Sequence, residues 1–294
     1  MTRARTVADG LRFPEGPSWL GDGSLAVVEM KGEAVSRVAQ DGTVTVLGDC
    51  GGGPNGSARG AAGEVYVANN GGLSAEGTGY WHAPREFDGR VQRVDPDGTV
   101  TTVGGELPGE TPHRPNDLCF GPDGTLYVTD SANWEDLRNI RPGRVVAIGP
   151  DGTQLGHVEI PAMPNGVAFG PDGRLYLSQS LTRKVLAFEV SGGEFGVPQQ
   201  ILKLPSGMPD GFAFDGDGLL YVCGSIGNAV HVYADGELKE SIETGEGTQP
   251  TNACVGADGQ LYVTLGLTGQ LVAYDLGLTP PTTVHTGSIA GGAA

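Results

Sequence analysis

The sequence predicts an all-β fold, a six-bladed β-propeller with four-stranded antiparallel blades around a central channel, with residues 1–294 forming a single domain. Three observations predict it. A short apolar strand after an Asp-Gly or Gly turn recurs six times, as Gly23-Ser-Leu-Ala-Val, Gly63-Glu-Val-Tyr-Val, Gly124-Thr-Leu-Tyr-Val, Gly173-Arg-Leu-Tyr-Leu, Gly218-Leu-Leu-Tyr-Val and Gly259-Gln-Leu-Tyr-Val. The glycines that open these strands stand 40, 61, 49, 45 and 41 residues apart, a period that suits four short strands per unit. Second hairpins complete most units, among them Val145-Val-Ala-Ile with a turn at Asp151-Gly152 and Val230-His-Val-Tyr with one at Asp235-Gly236.

Length alone suggests about two domains, but the repeats run from end to end without a linker, so one closed ring is expected. Glycine fills 51 of the 294 positions, and its placement at turns between strands rich in Val, Leu, Tyr and Phe argues for order despite that content. The last unit supplies only three strands, TNACVG, QLYVTL and QLVAYDL. Residues 3–9, RARTVAD, are expected to add the outermost one and close the ring, with TTVHTG near the C-terminus as the competitor.

A formal charge of −17 and a pI near 4.5 disfavour nucleic acid and anionic membranes as partners. The start, MTRARTVADGLRF, lacks the apolar core of a signal peptide, and no run approaches the roughly 20 apolar residues that span a bilayer; a cytoplasmic protein is expected. Cys50, Cys119, Cys223 and Cys254 are far apart with no CxxC spacing, and three of them sit in apolar strand patterns, so buried thiols are expected rather than disulfides.

Two turn columns separate by chemistry. The turn that leads into the first strand of each unit carries proline, followed by Glu15, Asn55, Asn116, Asn165, Asp210 and Thr251. The first strand of a propeller blade lines the channel, so these six residues converge at one mouth, and every one offers an oxygen. The second turns read Asp22, Ala62, Asp123, Asp172, Asp217 and Asp258, which is tight-turn chemistry and nothing more. Glu15 is a poor turn former, so turn formation does not explain the first column, although it remains open for any single member. Two carboxylates and several carboxamides aimed at one point repel unless a cation lies between them. One divalent cation is therefore expected, Ca²⁺ first among oxygen-preferring ions, then Mg²⁺ or Mn²⁺, with Zn²⁺ or Fe²⁺ less natural.

Around this ring, Arg114 either grips a substrate group or pairs with Asp117 or Glu15. Residues 69–90, in the longest interval between repeats, form a loop with Tyr80, Trp81 and His82, read either as a lid or substrate wall or as a surface loop packing its own aromatics. The segment 131–143 can serve the same face. The five histidines show no HxH or HExxH spacing, and only His113 is kept as a proton carrier. No GxSxG elbow or P-loop is present.

The stretches FPEGPSW, GGPNGSARG, RPNDLCFGPDGTLYVTDS, MPNGVAFGPDGRLYLSQS and MPDGFAFDGDGLLYV resemble the senescence marker protein (regucalcin) and gluconolactonase family of six-bladed propellers over essentially the whole chain. The resemblance implies a single divalent ion held on the axis by Glu15, Asn165 and Asp210, with Asn116 either joining them or contacting substrate, and Arg114 hydrogen-bonding substrate hydroxyls. It also implies hydrolysis of a small lactone, most naturally a sugar lactone. Asp210 is the candidate for taking the proton of the attacking water, the alternative being that it only orients a hydroxide held by the ion. Tyr80 and His82 are the further candidates for substrate contact. The PND at 115–117 is also similar to diisopropyl fluorophosphatase, which keeps an esterase or phosphotriesterase acting at the same ion, or a ring-opening enzyme of a secondary pathway, as alternative readings. A scaffold propeller with a structural ion is the non-enzymatic one.

Overall fold

The computed structural model describes residues 4–76 and 79–290. Six antiparallel four-stranded sheets make up the ring. In blade 1 the strands run Pro14–Trp19, Leu25–Glu29, Ala34–Val38 and Val44–Asp49 from the channel outward. The innermost strands of blades 2 to 6 are Pro54–Arg59, Pro115–Phe120, Pro164–Phe169, Met208–Phe214 and Pro250–Val255. Blade 6 closes as expected from counting strands. Ala4–Ala8 pairs with Gln270–Asp275, Ala4 opposite Tyr274 and Thr6 opposite Val272, so the sheet that ends the chain takes its outer strand from the beginning. Residue 3 of the expected closing segment lies outside the described residues.

Each blade alternates its side chains between two neighbours, because successive residues of a strand point to opposite faces. The consequence is six apolar clusters, one in each interface between adjacent blades. Val28, Val35, Val65 and Val67 join blades 1 and 2, and Tyr262, Leu271, Val7 and Leu25 join blades 6 and 1. Val and Leu dominate these strands because both faces are buried. Each blade keeps only one short outer edge, on the perimeter of the ring, where the strands are largely exposed.

The second turns do more than turn. Their glycines all take left-handed φ values, from +74° at Gly259 to +93° at Gly63, and the preceding aspartates accept the backbone N–H two residues on, as Asp172 does from Arg174 at 3.1 Å. Asp172 and Asp258 also accept the hydroxyls of Tyr176 and Tyr262, at 2.9 and 2.6 Å. The phenol of each Leu-Tyr-Val strand has to find a partner when its ring is buried. In blade 5 the acceptor is Asp215 rather than Asp217.

Residues 276–290 cross the face of the ring that carries these second turns. The segment binds blade 6 through Leu278 N–H to Gly259 C=O at 3.0 Å, blade 5 through Gly216 N–H to Thr279 C=O at 2.7 Å, and blade 2 through Ala61 N–H to Gly287 C=O at 3.0 Å. TTVHTG belongs to this strap and not to a blade. No helix is long and apolar enough to cross a membrane among the described residues.

Candidate active site

The channel mouth opposite the strap is shaped by one repeated defect. In all six blades the ladder between first and second strands slips just after the leading proline, between Glu15 and Ser18, Pro54 and Gly56, Pro115 and Leu118, Pro164 and Val167, Pro209 and Phe212, and Pro250 and Ala253. A β-bulge takes residues out of pairing and re-aims their side chains. In blades 3 to 6 the freed positions are the oxygen column and the residue after it; in blade 2 Asn55 alone is freed, and in blade 1 Glu15 keeps its place opposite Val28 while Gly16 and Pro17 are freed.

Glu15, Asn55, Asn116, Asn165, Asp210 and Thr251 are all buried, none more than 9% exposed. Three residues just before the prolines, Phe13, Met163 and Gln249, hold φ of 58°, 62° and 53°, a left-handed conformation that costs a non-glycine residue about 1–2 kcal/mol. Such strain collects at functional sites.

The residue after the oxygen column reads Gly16, Gly56, Asp117, Gly166, Gly211 and Asn252. Blades 3 and 6 stand opposite one another in the ring, and their Asp117 and Asn252 meet across it, Asn252 Nδ2 donating to Asp117 Oδ2 at 3.3 Å. The other four positions have no room for a side chain: a Cβ on Gly211 would lie 1.9 Å from Asn252 Cγ, and one on Gly56 2.5 Å from Asp117 Oδ1. A polar cross-brace therefore lies directly beneath the oxygen ring.

Hydroxyls from two second strands, and from Thr251 of an innermost strand, stitch the ring to the next blade. Thr129 Oγ1 donates to Asn165 C=O at 2.7 Å, Ser178 Oγ to Asp210 C=O at 2.7 Å, and Thr251 Oγ1 to Pro14 C=O at 3.0 Å. Thr251 also pairs with Thr264 Oγ1 at 2.8 Å, so its oxygen is committed to the frame.

Electrostatics mark the axis. Burial, then the charges of Asp210 and Asp117, push the Glu15 carboxyl well above the usual carboxylate range. Burial pushes Asp210 up to about 7, against hydrogen bonds from Asn165 and Ser225 that lower it. Burial likewise raises Asp117 to about 6. Among the described residues no arginine or histidine pairs with any of the three. The thiol of Cys223, buried beside Asp210 and Glu15, is raised far from ionisation and offers no thiolate. No group of three or more His, Cys, Asp or Glu placed to hold a metal occurs among the described residues. The donors on the axis are instead two carboxylates and amide oxygens, a set that fits a hard divalent cation better than a soft one.

Arg114 leads into blade 3 and pairs with neither Asp117 nor Glu15. Its guanidinium donates to Glu135 Oε1 at 3.2 Å and to Asn70 C=O at 3.1 Å. Arg114 Nε and Glu135 Oε2 both remain buried without a partner among the described residues. Beside this pair, Trp134 meets Tyr80 edge to face with ring centroids 5.4 Å apart. Tyr80 sits on a two-stranded hairpin, Leu73–Glu76 with Gly79–His82, so residues 69–90 are not the irregular loop expected; Gly77 and Thr78 of that segment lie outside the described residues. Exposed His82 pairs with Glu86 and, among the described residues, with no residue of the oxygen ring. His113 is buried, its Nδ1 2.9 Å from Asp130 Oδ2. Although burial works the other way, the bonds from His113 and from the N–H groups of Arg114 and Ala132 hold Asp130 below its ordinary pKa. The pair brackets the Arg114 backbone, whose N–H donates to Asp130 Oδ1 at 2.7 Å.

The ring thus brings together Glu15, Asn116, Asn165 and Asp210 from four blades, with Arg114 at its rim and Tyr80 above the 131–143 segment. Sequence reasoning missed Asp117, Asn252, Ser225 and Glu135. The first two were signalled by the column of glycines that they interrupt; Glu135, inside an insertion without repeat register, had no such signal.

Fold and site define a class, the six-bladed propeller with an oxygen-lined, carboxylate-bearing mouth on its axis. The model of the SMP-30/gluconolactonase/LRE-like region matches residues 13–266, and the chain belongs to that family. A gluconolactonase from Xanthomonas campestris is 26% identical, with 93% of this chain and 89% of that one covered at a TM-score of 0.75. A luciferin-regenerating enzyme is 16% identical over 98% of this chain and 100% of its own, at a TM-score of 0.80. A calcium-binding regucalcin from Agrobacterium tumefaciens is 18% identical over 98% and 97%, at 0.75; these last two show the fold alone. No curated protein sequence matches the chain.

Proposed function

We propose that this protein is a metal-dependent hydrolase that opens a small lactone, most naturally a sugar lactone, at the axial mouth. The observation that carries the reading is the convergence of Glu15 and Asp210, two buried carboxylates whose pKa values are raised by burial, among amide oxygens on the axis of a ring whose relative is a gluconolactonase. Glu15, Asn165 and Asp210 would hold the cation, with Asn116 completing the set or turning to substrate. A bound divalent cation would balance their charge and polarise the carbonyl under attack.

The chain's own groups do the rest. Asp210, fixed through its backbone by Ser178 and beside Asn165 and Ser225, orients the attacking water and accepts its proton. Arg114 and Glu135 carry one unspent donor and one unspent acceptor, the complement of a hydroxyl that can accept and donate, so they are assigned to a hydroxylated ring. Tyr80 and Trp134 offer the apolar wall. The Asp117–Asn252 brace and the four glycines close the channel below, so that substrate and water arrive from one face.

The test is acid release from glucono-1,5-lactone by metal-stripped protein, with Ca²⁺, Mg²⁺, Mn²⁺, Zn²⁺ or Fe²⁺ restored in turn and Asp210→Ala alongside. Cation-dependent release above the spontaneous rate, absent from the folded variant, is expected. Equal rates in variant and wild type, or no release with any ion, would overturn the reading.

A further inference from the structure

Below the Asp117–Asn252 brace the channel opens again, toward the strap, into a cavity of about 230 Å³. Its size follows from a third column of the innermost strands. The fifth residue of each, counted from the proline, is Ser18, Ala58, Cys119, Ala168, Ala213 or Cys254, and none is larger than cysteine. Six small residues around one axis leave space that larger ones would fill. The strands record it in their burial: positions 18 and 19, 58 and 59, and 168 and 169 are only partly buried although they lie at the centre of the ring.

The walls are largely aromatic, with the Arg59 guanidinium among them as the formal counter-charge to Asp117. Trp19, Phe120, Phe169, Phe212 and Phe214 line the cavity, and Pro281, Val284 and His285 of the strap roof one side, with the His285 ring edge-on to Phe169 at 5.7 Å. The inner end is polar. Asp117 Oδ2 takes two long bonds, from Val167 N–H and from Asn252 Nδ2, each 3.3 Å, and Oδ1 takes Leu118 N–H at 2.9 Å. A carboxylate has about four acceptor sites and a carboxamide nitrogen two hydrogens, so the floor keeps an acceptor and a donor unspent side by side.

We propose that this cavity is a second ligand site, on the face opposite the oxygen ring, for a compact neutral molecule of one aromatic ring bearing a hydroxyl. The ring lies among the aromatic walls, where edge-to-face contacts stabilise it. The hydroxyl donates to Asp117 and accepts from Asn252. The volume sets the class: it falls below the roughly 300 Å³ at which pockets for drug-sized ligands begin, which leaves room for one substituted ring and not for two. Nothing in this assignment depends on the chemistry at the other mouth.

Trp19 makes the site observable. The chain has three tryptophans, and Trp81→Phe with Trp134→Phe leaves Trp19 as the sole emitter. Iodine quenches indole fluorescence only at contact range, so 4-iodophenol is titrated at neutral pH, with p-cresol as the non-quenching competitor. Saturable quenching, reversed by p-cresol, is expected. Two variants locate it. Ala168→Leu fills the cavity from the ring, and Val284→Phe fills it from the strap without adding an emitter, where Val284 is 59% exposed and folding is not at stake. Each is expected to raise the half-saturating concentration about tenfold or more, the loss of a little over 1 kcal/mol of contact. Linear quenching equal to that of free N-acetyltryptophanamide overturns the proposal, as does saturable quenching that neither folded variant weakens.

Discussion

Metal-free protein should lose stability as pH rises from 5 to 8, and the channel axis should be the cause. Asp210 ionises at about 7 and Asp117 at about 6 in the folded chain, against 3.8 for an ordinary aspartate. Between those values the unfolded chain has released protons that the folded chain still holds. The folded state then binds more protons, and the free energy of unfolding falls with rising pH until the folded pKa is passed. These groups are fully stabilising only when protonated, at and below about pH 4. For Asp210 the full loss is on the order of 4 kcal/mol, of which about 2.5 kcal/mol falls between pH 5 and 8, and in a chain of this size that part corresponds to roughly 5 °C in Tm. A cation that binds the ionised carboxylates reverses the trend. The assay is thermal unfolding by circular dichroism at pH 5, 6, 7 and 8, with chelator and with excess Ca²⁺. Asp210→Asn should reduce the slope in chelator, leaving the contributions of Glu15 and Asp117, and should lose most of the Ca²⁺ response. A metal-free Tm that is flat or rises from pH 5 to 8 would refute the reasoning, and so would a variant that keeps the whole slope.

Three further outcomes follow from the same geometry. Gly211→Ala places a methyl 1.9 Å from Asn252 Cγ, and the forced shift of the brace should cost about 1–3 kcal/mol, read as a lower midpoint in urea; an unchanged midpoint would show that the brace yields freely. Glu135→Gln, which keeps the size but removes the charge paired with Arg114 at 3.2 Å, should raise KM for a hydroxylated lactone several-fold with a smaller change in kcat, and an unaltered KM would remove the pair from substrate recognition. Of the four free thiols, buried Cys50, whose thiol is pushed up to about 12 by burial first, and Cys223 should stay silent toward Ellman's reagent at pH 8 until denaturant is added. Prompt reaction of all four in native protein would contradict the packing between blades.

The oxygen ring was legible in the sequence because proline marks the start of every innermost strand, so six distant residues fall into one column without any knowledge of pairing. What happens two residues into the strand was printed in the same column and could not be read. Gly16, Gly56, Gly166 and Gly211 look like turn residues until the ladder is known to slip there in every blade. A bulge is a property of two strands together, and neither strand alone records it. Counting strands was enough to assign Ala4–Ala8 to blade 6, since an unfilled edge in a closed ring has only the chain ends to supply it. Arg114 shows the opposite limit. Its partner, Glu135, comes from an insertion whose path no repeat predicts, so the choice between Asp117 and Glu15 that the sequence offered contained neither the right residue nor a way to reach it.

The bulge also explains why the site can hold like charges at all. A regular ladder would turn Glu15 and Asp210 alternately into the interfaces between blades, where six apolar clusters leave no place for a carboxylate. The slip instead frees Asp210 from the ladder and bends blade 1 directly after Glu15, which stays opposite Val28, and the prolines supply no N–H that the slip would leave unpaired. The unfavourable burial of these acids is then borne by a frame fixed independently, with carbonyls of Asn165 and Asp210 held by hydroxyls of the preceding blades. Because those bonds reach the backbone and not the carboxylates, they hold the acids in place without using the carboxylate oxygens themselves. Raised pKa and rigid placement thus arise from one local irregularity repeated six times, which makes the order of events in folding immaterial to the site: it is complete only when the last blade has closed.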